Sequence, residues 1–143
     1  MKVAIGCDHG GFELKEQVVK HLADQGYELT DVGCNSLDSV DYPVYAKKVC
    51  DLVNNGDVEL GILICGTGIG MSMAANKIKG IRAALLSDCF SAEKTREHNN
   101  ANVMCLGGRV IGPELAFRIV DTFLTTPFSN AERHQRRVNM LEG

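Results

Sequence analysis

Leu60-Gly61-Ile62-Leu63-Ile64-Cys65-Gly66-Thr67-Gly68-Ile69-Gly70 decides the fold. Residues 60–65 are apolar or small without alternation, and they stop at a thiol followed by three glycines in five positions. A continuous apolar run of this length is how a strand buried on both faces reads. Closely spaced glycines after it mark a tight turn into a helix, here one starting near Met71. Working outward, the same kind of run recurs at Val3 to Cys7, Glu28 to Val32, Ile81 to Ser87 and Val103 to Leu106. Between the runs lie stripes at helical spacing. Leu14, Val18, Val19 and Leu22 form one, closed by Gly26; Tyr45, Val49, Leu52 and Val53 form another, closed by Gly56. Leu115, Ile119, Val120, Phe123 and Leu124 form a third, opened by Gly112-Pro113. Five strands alternating with helices require right-handed βαβ units, so an α/β fold with a doubly wound parallel sheet is expected. Helices should cover both faces, with a last polar helix over 130–141 carrying His134, Val138 and Leu141 on one side.

The length of 143 residues suits one domain, residues 1–143, that buries a core without staples. Apolar residues make up 45% and charged residues 23%, which excludes a disordered or fibrous chain. Fifteen basic against eighteen acidic residues leave a net charge of −3. With no long basic run, binding to nucleic acid or to a membrane surface is not expected. The apolar runs are far too short to span a bilayer, and the first ends at Asp8, too early for a signal peptide. The six cysteines (7, 34, 50, 65, 89, 105) show no C-x-x-C spacing. They are expected as reduced thiols in a cytoplasmic protein, with neither a zinc ribbon nor a redox dithiol among them.

In a doubly wound sheet the ligand sits outside the carboxyl ends of the strands, where the winding reverses. Cys65 stands there, ahead of a helix N-terminus, a setting that favours the thiolate; the plain alternative is an inert strand-end cysteine. Gly66, Gly68 and Gly70 can turn backbone N–H groups onto an anion, or simply make a tight turn. The spacing fits neither a dinucleotide fingerprint nor a Walker loop. Asp8-His9 after the first run offers a carboxylate beside an imidazole, for proton transfer or phosphate binding, or a capping Asp in a turn. His98 closes a polar helix over 91–97, where a histidine is often only a dipole partner. Arg133 and Arg137 share a helix face suited to one phosphate or to solvent, and Arg109 follows the fifth run. His21 receives no role. These residues alone describe a metal-free site that binds a small phosphorylated molecule and moves protons.

Taken together, Gly6-Cys7-Asp8-His9-Gly10-Gly11, Asp41-Tyr42-Pro43, Cys65 to Gly70, Ala74-Ala75-Asn76-Lys77, His98 to Val103, Gly108 to Gly112 and Arg133-His134 closely resemble type B ribose-5-phosphate isomerases. The resemblance runs nearly end to end. It implies a Rossmann-like sheet, a homodimer (in some members a tetramer) with active sites shared across the interface, and aldose–ketose isomerisation of ribose 5-phosphate without metal or nucleotide. It implies Cys65 as the base between C1 and C2, His98 as the acid/base that opens the furanose ring, and Asp8 near the ring oxygens. It assigns the amides of Gly66, Thr67, Gly68, Ile69 and Gly70 to the enediolate oxygens, with help from Thr67, and Asn99 to sugar hydroxyls. It gives the phosphate to His9, Arg133 and Arg137, with Arg109 from the other subunit. Two other readings stay open at this point: a galactose-6-phosphate or allose-6-phosphate isomerase, and a non-catalytic module that binds a sugar phosphate or nucleotide.

Overall fold

The computed structural model describes all 143 residues. Five strands alternate with helices: β1 (Lys2–Cys7), α1 (Phe12–Asp24), β2 (Glu28–Asp31), α2 (Tyr42–Asn54), β3 (Leu60–Cys65), α3 (Ile69–Asn76), β4 (Ala83–Leu85), α4 (Cys89–Asn99), β5 (Val103–Gly107), α5 (Pro113–Thr125) and α6 (Glu132–Glu142). Every strand pair is parallel, in the order β2-β1-β3-β5-β4. The expected doubly wound α/β sheet is therefore present, and its first reversal lies between β1 and β3.

The apolar runs explain the layering. β1, β3 and β5 are central strands, and Val3, Ile5, Ile62, Ile64, Met104 and Leu106 are buried on one face against α1, α4 and α5. Ala4, Leu63, Cys65, Val103 and Cys105 turn to the other face, against Val49 of α2 and Met71 of α3. Alternate residues of each run thus feed two separate cores, which is why the runs show no polar alternation. At the carboxyl ends of the strands a buried ammonium, Lys15, meets Asp31 at 2.7 Å and ties α1 to the end of β2.

Several details differ from the sequence expectation. β4 spans only Ala83–Leu85 rather than residues 81–87, because its approach is held by side chains instead of a ladder. Asn76 exchanges both amide bonds with the backbone of Ala83, and Asn102 accepts from the Arg82 N–H. β2 is an edge strand, with three of its four residues exposed. In α6, His134 and Val138 are buried, whereas Leu141 is 67% exposed and does not continue their stripe.

Candidate active site

The helix after β3 lies on one face of the sheet, while those after β1 and β5 lie on the other. The loop leaving β3 therefore turns to the opposite face from its neighbours, the place where such sheets bind ligands, and Cys65 stands there at the carboxyl rim. Its side chain is nearly covered, and the Gly68 N–H donates to Sγ at 3.1 Å. Gly68 reaches that position with φ +79°, the left-handed region that glycine enters without strain. The Ile69 N–H donates to Thr67 Oγ1 at 3.2 Å. Helix geometry leaves the amides of Gly70 and Met71, in the first turn of α3, without a partner one turn back. A thiol and the first-turn amides of a helix thus share one rim, the arrangement a base beside an oxyanion pocket requires.

Three loops meet here backbone to backbone. A Cβ on Gly10 would sit 2.9 Å from the Gly66 nitrogen, and one on Gly108 would sit 2.8 Å from the Gly10 carbonyl oxygen. Cys65 and Gly66 carbonyls accept from the Gly108 and Arg109 N–H groups at 2.8 and 2.9 Å. Asp8 is buried, and its Oδ1 accepts from the Gly10 and Gly11 N–H groups at 2.8 and 3.2 Å, so it caps the turn while facing the rim. His9 Nδ1 accepts the Val40 N–H at 3.2 Å, which leaves Nε2 to carry the proton of the neutral ring. The Arg109 guanidinium lies against Gly66. Asp8, His9, Cys65, Gly66 to Gly70 and Arg109 thus form one group.

His98, Asn99, Arg133 and Arg137 form another, elsewhere. α4 begins past the carboxyl end of β4 and runs back to the amino end of β5. Its eleven residues cover roughly 16 Å, so His98 and Asn99 sit at the opposite rim from Cys65. There a cleft of about 310 Å³ is lined by His98, Asn99, His134, Arg137, Val138 and Leu141. The His98 and His134 rings meet with centroids 4.3 Å apart. Arg133 and Arg137 are exposed one turn apart on α6, and Arg136 turns towards Glu132 and Met140 instead. Grouping His9 with Arg133 and Arg137 in one subunit is therefore corrected. His9 and Arg109 share a rim, and the two arginines of α6 lie at the far end, because α5 carries the chain from the carboxyl rim back to the amino rim, where the Ser129 N–H donates to the Glu97 carbonyl just before α6.

Cys7, Cys34, Cys50 and Cys105 are buried core thiols, and Cys89 is half-buried. Burial pushes Cys50 up to about 12, with Asp51 adding to it, and raises Cys7 and Cys105 as well. Cys7 Sγ lies 3.6 Å from Cys34 Sγ. His21 pairs with Asp121 at 2.8 Å and stacks on Phe117, joining α1 to α5. No three or more His, Cys, Asp or Glu side chains assemble as metal ligands. No helix is long and apolar enough to cross a membrane. Sequence reasoning missed two residues at the sites. Tyr42 packs its ring on Gly70, and His134 pairs with His98 across 36 positions, a contact that no local signal announces.

The family model described as Ribose/Galactose Isomerase matches residues 3–141. A ribose-5-phosphate isomerase B of Escherichia coli (strain K12) is 49% identical over 98% of this chain and 93% of its own length. The crystal structure of a ribose 5-phosphate isomerase from Thermotoga maritima superposes with a TM-score of 0.97 at 53% identity, covering 99% of this chain and 97% of that one. A type B ribose 5-phosphate isomerase from Trypanosoma brucei gives 0.95 at 48% identity, over 99% and 96% of the two chains. With likeness of this extent in sequence and in backbone, the chain belongs to the ribose/galactose isomerase family.

Proposed function

We propose that this chain interconverts ribose 5-phosphate and ribulose 5-phosphate through an enediolate, as a cytoplasmic homodimer whose two active sites are each built from both subunits. The observation that carries the chemistry is Cys65 Sγ held 3.1 Å from the Gly68 N–H at the mouth of an amide-lined turn. A proton leaves C2 of the open-chain aldose for the sulfur while the C1 carbonyl takes up the electron pair. The resulting oxyanion meets N–H groups that are already aimed, which stabilises it more than the substrate. The O2 hydroxyl then gives up its proton while O1 takes one, and return of the proton from sulfur to C1 leaves the carbonyl at C2, which is the ketose. Asp8, Thr67 and Asn99 orient hydroxyls, and the phosphate anchors the flexible chain so that its carbon acid meets the sulfur.

Two subunits are needed because the acid/base that opens the ring and the base that moves the proton stand at opposite rims of one chain. A two-fold axis bringing the His98 cleft of one copy to the Cys65 rim of the other completes two identical sites at once. Each phosphate then lies between His9 and Arg109 of one copy and Arg133 and Arg137 of the other. Pentose phosphate is favoured over galactose or allose 6-phosphate by the relatives named for it. The test is turnover of ribose 5-phosphate by the purified protein, followed in the ultraviolet, beside both hexose 6-phosphates. Faster turnover of a hexose phosphate moves the substrate, and silence on all three leaves a binding module.

A further inference from the structure

His98 ends the last full turn of α4 with an exposed ring and makes no hydrogen bond of its own within the chain. An exposed imidazole at a helix end samples several rotamers, yet proton transfer to a ring oxygen needs its nitrogen placed to within a few tenths of an ångström. One neighbour fixes its plane. His134, itself 6% exposed, lies against it with ring centroids 4.3 Å apart and planes tilted by 36°. His134 is anchored in turn. Its Nδ1 lies 2.6 Å from Ser129 Oγ, and that hydroxyl accepts the Ala131 N–H at 3.2 Å, so its own proton is free for the imidazole nitrogen. The Ser129 N–H donates to the carbonyl of Glu97 at 3.1 Å, the residue before His98. The chain of contacts thus starts on α4, passes through the 129–134 segment and returns to α4 at the ring it steadies. Burial, followed by the charges of Arg133, His98 and Arg137 and opposed by Glu97, lowers His134 from its ordinary value, which favours its neutral form.

We propose that His134 is a positioning residue for ring opening: locked by Ser129, it is the platform that holds the His98 imidazole towards the furanose of the substrate in the shared site. The proposal rests on the isomerase reading and on His98 as the ring-opening group. Ring opening and carbon proton transfer can be read separately. Conversion of ribose 5-phosphate, which is overwhelmingly cyclic in water, needs both. Deuterium uptake at C1 of ribulose 5-phosphate in D2O needs only enediolate formation, since a ketose phosphorylated at C5 has no hydroxyl there to close a furanose.

The experiment compares wild type, His134→Ala, His134→Phe and His98→Asn in both assays, with folding checked by circular dichroism. We expect His134→Ala to lower kcat on ribose 5-phosphate at least tenfold, with KM within twofold and deuterium uptake within twofold of wild type. His134→Phe, which keeps a flat ring under His98, should recover most of that loss. Conversion and uptake falling together in His134→Ala would overturn the proposal, as would an unchanged kcat or a rise in KM alone. The underlying reading fails in a different way: wild type without turnover removes the isomerase, and His98→Asn with unchanged kcat removes the ring-opening role.

Discussion

A cysteine that ends a buried strand is ordinarily an inert core group, and Cys7 and Cys105 fit that description, buried and with thiols raised by burial. Cys65 differs in what surrounds its sulfur: the Gly68 N–H, the free first turn of α3 and the Asp8-to-Gly11 loop packed against Gly66. A general base of this kind contributes roughly 10²–10⁴-fold to rate. Cys65→Ala is therefore expected to lower isomerase turnover by about that factor while the melting temperature changes little. Loss of activity together with loss of the fold would return Cys65 to the core. At this scale the sequence was legible where chemistry and position coincide, as for Cys65, Asp8 and His9. It was silent on His134, whose partner is distant in the chain.

Among the elements, the turn from β3 into α3 carries the most constraint. A Cβ on Gly68 would come within 2.5 Å of the Leu85 side chain and 2.9 Å of the Leu106 carbonyl carbon, at a φ of +79°. Strain of this kind costs about 1–3 kcal/mol, so Gly68→Ala should lower stability by that amount in denaturant unfolding. It should lower kcat further than the stability loss explains, because the N–H facing Cys65 is displaced. Unchanged turnover would separate the amide from the chemistry. The glycine spacing announced this turn and the apolar run announced the strand before it. β4 was misjudged in length for a physical reason. Ile81 and Leu86 are apolar and buried, but the backbone between them is held by Asn76 and Asn102 rather than by a full ladder.

For the molecule as a whole, α4 places His98 at the rim opposite Cys65, and under the proposed dimer that geometry makes a test of assembly. Cys65→Ala and His98→Asn are each expected to be inactive as homodimers. Co-refolded in equal amounts, half the dimers are mixed and each mixed dimer has one intact site, so about a quarter of wild-type activity should return. No recovery would place the whole site within one chain. A second expectation concerns pH. His134 faces Arg133, Arg137, His98 and Glu97 and is held below its ordinary value, so folding favours its neutral form. The stability this contributes is present above the unfolded value of about 6.5 and is lost as pH falls below it. Melting temperature should thus drop between pH 7.5 and 5.5 by more in wild type than in His134→Phe, and equal drops would show that His134 is not the group.

What the sequence by itself determined follows from short-range physics. Unbroken apolar runs require a sheet covered on both faces, helical stripes supply the covers, and glycines after β3 mark the turn that holds Cys65. Those are properties of neighbours in the chain. Only the tertiary structure decided which residues share a place, because strand order and the path of α4 depend on packing between segments far apart. It joined His9 to Arg109 at one rim, sent His98, Arg133 and Arg137 to the other, and set His134 beneath His98.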